Sequence, residues 1–78
     1  MRAYILAKLV AGKEEEAIKA LRNIPEIKRL VEVLGPYDLV MEAEISDPTR
    51  LNDLVIRKIR SLESVQETLT LIVARERK

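Results

Sequence analysis

Apolar and polar residues alternate through Leu39-Val40-Met41-Glu42-Ala43-Glu44-Ile45, with Leu39, Met41, Ala43 and Ile45 at every second position. A strand sends alternate side chains to opposite faces, so this stretch predicts a strand with one face on a core. The run before it, Ile27 to Leu34, is also strand-like, and Gly35-Pro36 between the two marks a tight reversal. The pair reads as a hairpin, with Asp38 an acid at its mouth. Nearer the N-terminus, Arg2 to Val10 sets Ala3, Ile5, Ala7 and Leu9 against Tyr4, Leu6, Lys8 and Val10. Both faces are largely apolar, which predicts a strand covered on both sides.

Ala11-Gly12 breaks that strand, and Lys13 to Asn23 changes to helical spacing through Ala17, Ile18 and Leu21, followed by Ile24. Glu14, Glu15 and Glu16 occupy its first turn, where the positive end of the helix dipole favours acids. Pro25 ends the helix, since its ring and missing N–H are poorly tolerated further inside. Lys28, Arg29 and Glu32 interleave the second strand and suit a sheet edge. Asp47-Pro48 reads as a cap followed by Pro in the first helical turn. The second helix is predicted to run to about Ser61 on the stripe Leu51, Leu54, Val55, Ile59 and Leu62. Arg57, Lys58 and Arg60 oppose the dipole near its end. The last strand is predicted over Val65 to Val73, with Leu69, Leu71 and Val73 on one face and Thr68, Thr70 and Ile72 on the other. Ala74 to Lys78 is a charged tail.

The order strand-helix-strand-strand-helix-strand predicts an α+β, ferredoxin-like βαββαβ fold forming one domain over residues 1–78. Right-handed crossovers then give a four-stranded antiparallel sheet of order 4-1-3-2 with both helices on one face. Tyr4, Leu6, Val10, Leu30, Val40 and Ile72 are assigned to the other face, beside Lys8, Glu42 and Glu44, with Lys8 expected to pair with Glu42. Such an apolar patch left in water is an association surface. The expectation is therefore a homodimer packed sheet to sheet, within a larger ring.

Composition narrows the chemistry. The 78 residues hold no Cys and no His, and 14 Lys and Arg nearly balance 13 Asp and Glu. Neither an imidazole base nor a thiolate nucleophile is available, nor the donors of an ordinary zinc or copper site. The chain is read as a non-enzyme that needs no cofactor and no metal. A net charge of +1 is no electrostatic footprint for nucleic acid. No apolar run approaches a membrane span, and a strand pattern occupies the place of a signal peptide, so a cytoplasmic location is expected. Dense charge of both signs with only two Gly resembles the surface of a thermophile's protein.

Over nearly its full length the chain resembles the RAM domain, the effector-binding half of the Lrp/AsnC (feast/famine) transcription regulators. The resemblance is carried by Gly12 in the first strand-helix loop, the passage from Pro25 to Val33, and Gly35-Pro36-Tyr37-Asp38-Leu39-Val40. Asp47-Pro48 and the run from Val65 into Thr68-Leu69-Thr70-Leu71 complete it. It implies facing-sheet dimers, rings of dimers, and an amino-acid effector held between dimers near the second hairpin. Carried over, Gly35, Tyr37 and Asp38 become ligand-binding candidates, joined by Thr68 and Thr70. Co-assembly with full-length regulators is a further implication. Ser64 stands where the family commonly has Gly, and Pro36 removes one backbone donor. Each candidate also has a plain structural reading: Asp38 as a side chain bonding its own turn, Tyr37 as an interface aromatic, Gly35 as turn freedom, and the threonines as β-formers.

Other functions fit less well. Direct DNA binding would need a helix-turn-helix, a pattern no segment here carries. An RNA-binding domain of this topology stacks bases on aromatics of its first and third strands. Tyr4 could serve on the first, but the third offers Glu42 and Glu44. An acylphosphatase-like enzyme needs an Arg-bearing phosphate loop, whereas Val10-Ala11-Gly12-Lys13 has none, and a dimeric barrel oxygenase commonly uses a His.

Overall fold

The computed structural model describes all 78 residues. Strand β1 spans Arg2–Leu9, helix α1 Glu14–Leu21, β2 Ile27–Glu32, β3 Leu39–Glu44, helix α2 Pro48–Asp53, and β4 Val65–Ile72. The sheet order is β2-β3-β1-β4 with every pairing antiparallel, which is the predicted 4-1-3-2 order read from the other edge. The alternation in β1 is strict: Ala3, Ile5, Ala7 and Leu9 are buried, and the residues between them are half-buried. Together with Leu39, Met41 and Ala43 of β3 they form the sheet side of the core. Ala17 and Leu21 of α1 and Leu51 of α2 close it. Each fully buried Leu or Ile in this layer contributes about 1.5–3 kcal/mol.

Beyond Asp53 the second helix widens into a π-helical segment, Leu54–Ile59. The Arg60 N–H donates to the Val55 carbonyl at 2.8 Å, a bond spanning five residues instead of four. An α-helix would turn residues five apart by about 140° from one another. The wider turn lets Leu54 and Ile59 both reach the core, at 1% and 0% exposure. Asp47 caps α2 as expected, its Oδ1 accepting from the Arg50 N–H at 3.0 Å.

The register corrects two assignments to the open face. In β2, Ile27 lies opposite Ala43 and Arg29 opposite Glu42, so Lys28 is an extra residue and the strand bulges. The bulge shifts the alternation, and Leu30 lies opposite Met41 on the helix-covered face while Val31 faces outward beside Val40. Ile72 lies opposite Ala3, and Thr70 opposite Ile5, so both belong to the helix-covered face as well. Leu69 and Leu71, opposite Leu6 and Tyr4, take the open face instead. Alternation divides β4 into two sets, and only its partner strand shows which set meets the helices. Lys8 likewise lies opposite Glu67, 4.0 Å from its carboxylate, and not beside Glu42, which faces Tyr4 and Arg29.

Candidate functional site

The turn joining β2 to β3, residues 33–38, is closed by three hydrogen bonds radiating from Asp38. The Val33 N–H donates to the Asp38 carbonyl at 2.9 Å, and the Asp38 N–H donates to the Ala7 carbonyl at 2.9 Å. The Leu9 N–H then donates to Asp38 Oδ2 at 2.8 Å. A carboxylate oxygen thus substitutes for a backbone carbonyl and carries the β1–β3 ladder one step past the end of β3. The Asp38 side chain bonds the neighbouring strand and not its own turn, which fixes its carboxylate at the rim of the sheet. The side chain remains exposed, and Oδ1 has no partner within the chain.

The turn's other residues have distinct roles. Gly35 sits at φ +149°, a backbone region that side chains disfavour, although a Cβ there would meet nothing within 4 Å. The turn therefore selects glycine for its backbone freedom and not for space. Tyr37 is half-buried, with the Lys8 ammonium 5.6 Å from its ring centroid, a cation–π arrangement. Lys8 in turn approaches Glu67, so a polar chain runs from the turn across β1 to β4 on the open face. Lys8 was absent from the sequence-derived site; its isolation among apolar residues of β1 was the available signal. Leu34, at the tip, is fully exposed.

Thr68 and Thr70 do not join this group. They lie opposite Ala7 and Ile5 on the helix-covered side of the edge strand β4, while Tyr37 contacts the open face. Thr70 lines a groove of about 240 Å³ between α2 and β4, together with Pro48, Leu51, Asn52, Val55 and Ile72. Within one chain the five candidates therefore form two separate sets.

The open face carries Tyr4, Leu6 and Val40, all half-buried, and Val31, Leu69 and Leu71, which are exposed. Val10 lies just beyond the end of β1 and is half-buried, its N–H donating to the Ser64 carbonyl at 2.9 Å. Arg2 donates to the Tyr4 hydroxyl at 3.5 Å and pairs with Glu76 at 2.8 Å, contacts that raise the guanidinium pKa above its ordinary value. No helix is long and apolar enough to cross a membrane.

A four-stranded antiparallel sheet with two helices on one face, an open second face and a braced acidic turn at its rim defines a ferredoxin-like domain. The chain belongs to the Lrp/AsnC ligand binding domain family, whose sequence model matches residues 2–78. The HTH-type transcriptional regulator FL11 of Pyrococcus horikoshii is 36% identical over 78 residues, covering 100% of this chain and 51% of that protein. The chain thus spans about half the length of that regulator. The homocitrate synthase of Sulfurisphaera tokodaii is 36% identical over 58 residues, 74% of this chain and 12% of that enzyme. The crystal structure of the transcriptional regulator NMB0573 of Neisseria meningitidis in complex with L-Met shares the fold. Its TM-score is 0.92 at 23% identity, covering 99% of this chain and 51% of that one.

Proposed function

We propose that this chain is an amino-acid-sensing and oligomerising module of the Lrp/AsnC type. Residues 1–78 form one such domain, read as sensing in the cytoplasm, and DNA binding, membrane binding and catalysis are not assigned to them. The observation that carries the reading is the Asp38 carboxylate, braced through Oδ2 by the Leu9 N–H and offering Oδ1 at the rim. An ionised, fixed carboxylate is an acceptor for an ammonium group, and N–H groups of the Gly35 turn are donors for the ligand's carboxylate. Pro36 supplies no such donor. Thr68 and Thr70 reach the ligand from a neighbouring chain, since their own chain holds them apart from the turn. A relative captured with L-Met supports an amino acid as the ligand class.

Dimerisation sheet to sheet covers the open face. Its apolar members are Tyr4, Leu6, Val10 and Val40, with Val31, Leu69 and Leu71 in the places first given to Leu30 and Ile72. The dimers assemble further and meet the matching domains of full-length regulators. The likeness to a stretch of homocitrate synthase favours a second output for the same sensing step, the control of an enzyme.

A thermal-shift screen against the twenty amino acids tests the proposal, because a ligand that binds only the folded state raises its stability. At one hundred times its Kd the gain is about 2.7 kcal/mol. One or a few amino acids should raise the melting temperature of the native chain and leave Asp38→Ala unmoved. An intact oligomer that responds to none of them would overturn the sensing role.

A further inference from the structure

We propose that the notch at the start of β2, where the end of α1 meets the bulge, is an anion site that takes the phosphoryl group of a small molecule. It is separate from the sensing turn, which lies at the other end of β2. The notch measures about 110 Å³ and is lined by Arg22, Lys28 and Arg29 with Ile27 and Leu30. Three cations meet around one small space, and none of the five ion pairs in the chain uses them.

Local duties do not account for the three. Arg22 follows α1, where a cation can serve the unpaired carbonyls of the last turn. Those of Ile18, Lys19, Ala20 and Leu21 already accept from the Arg22 N–H, the Asn23 side chain, the Asn23 N–H and the Ile24 N–H. The Arg22 guanidinium is therefore free for another acceptor. Lys28 is the extra residue of the β2 bulge, and its ammonium donates to the Pro25 carbonyl at 2.9 Å. That bond anchors the side chain and leaves further N–H donors open. Arg29 lies opposite Glu42 across the strand gap but is not ion-paired with it, and Glu26, close by in sequence, is held by Lys58 at 3.1 Å. Lysines and bulges protect an edge strand from mispairing. Edge protection does not bring Arg22 from the helix layer to the same notch.

Charge and size select the ligand. A carboxylate has one charge and two oxygens for two guanidinium groups and an ammonium. A phosphoryl group brings about two charges and three acceptor oxygens, one for each cation. The notch is far smaller than the roughly 300–1,000 Å³ of pockets that enclose a whole ligand, so the phosphoryl group alone enters. Any carbon part remains outside it.

Titration of the whole chain with inorganic phosphate, and separately with methyl phosphate, tests the site when amide chemical shifts are followed by NMR at constant ionic strength in chloride. Saturable shifts confined to residues 22–30 are expected, with none from acetate. Equal affinity for the two probes identifies free phosphate as the ligand, and tighter binding of the ester a phosphorylated metabolite. Arg22→Gln and Arg29→Gln should each weaken binding by up to about fivefold, the range of an exposed ion pair. The double variant should not bind measurably. Arg50→Gln/Arg60→Gln removes the same charge from exposed positions outside the notch and should bind as the native chain does. Unsaturable shifts scattered over the surface, an acetate response equal to that of phosphate, or a double notch variant that binds like the native chain would each overturn the proposal. Asp38→Ala should keep the phosphate response, so failure of this site and failure of the amino-acid reading are told apart.

Discussion

Removing the carboxylate of Asp38 leaves the Leu9 N–H without its acceptor at the end of β1, where Leu9 itself is 6% exposed. A hydrogen bond to an ionised group contributes about 1.5–3 kcal/mol, and the lower end applies because the exposed Asp38 site lets water replace part of it. Asp38→Ala should therefore cost about 1.5 kcal/mol. For a chain of this length that is a fall of about 6–12 °C in melting temperature. Asp38→Asn keeps an amide oxygen able to accept from Leu9 and should recover about half of the loss. The two variants separate structure from recognition, because neither offers the charge an ammonium ligand needs. Urea unfolding at one fixed protein concentration puts the three chains on a common footing, because the apparent stability of an oligomer depends on protomer concentration. If Asp38→Ala were as stable as the native chain, the brace would contribute nothing. If Asp38→Asn were as damaged as Asp38→Ala, charge and not the hydrogen bond would be responsible.

Ile5→Ala, at a fully buried position in the central strand, should cost about 2–5 kcal/mol in urea unfolding, enough to leave a sizeable unfolded fraction. Asp47→Ala should cost about 1 kcal/mol by the same assay through loss of the acceptor for the Arg50 N–H. The pKa of Glu26 is lowered, first by a backbone hydrogen bond at Glu26 itself and then by Lys58 3.1 Å away. A depressed carboxyl stabilises the fold above its unfolded pKa and loses that contribution as pH falls through the folded value. Glu26→Gln should accordingly flatten part of the acid limb of a stability–pH curve. The effect should stay below about 1 kcal/mol because both partners are substantially exposed.

Element order and sheet topology were legible because apolar spacing changes cleanly from period two to helical and back, and Pro25, Gly35 and Asp47-Pro48 punctuate the changes. Face assignment was legible in β1 and β3, where alternation is unbroken. It failed at Leu30, since the extra residue at Lys28 leaves no compositional mark and is seen only against Glu42 across the strand gap. It failed at Ile72 because an edge strand with apolar residues in both sets does not identify its core face. The turn around Asp38 could be located, but its acceptor role could not, since the Leu9 N–H is 29 residues distant in sequence. The separation of Thr68 and Thr70 from that turn follows from register, which a list of residue types does not contain.

The widened helical segment Leu54–Ile59 has a consequence for comparing lengths among chains of this fold. Its extra residue is absorbed inside the helix and leaves Leu54 and Ile59 in the core, so one deletion between them would restore ordinary helical spacing without disturbing either end. Two homologous chains can therefore superpose on both sides of this helix and still differ by one residue within it. An alignment gap at this point would record a change of winding, with no loop gained or lost.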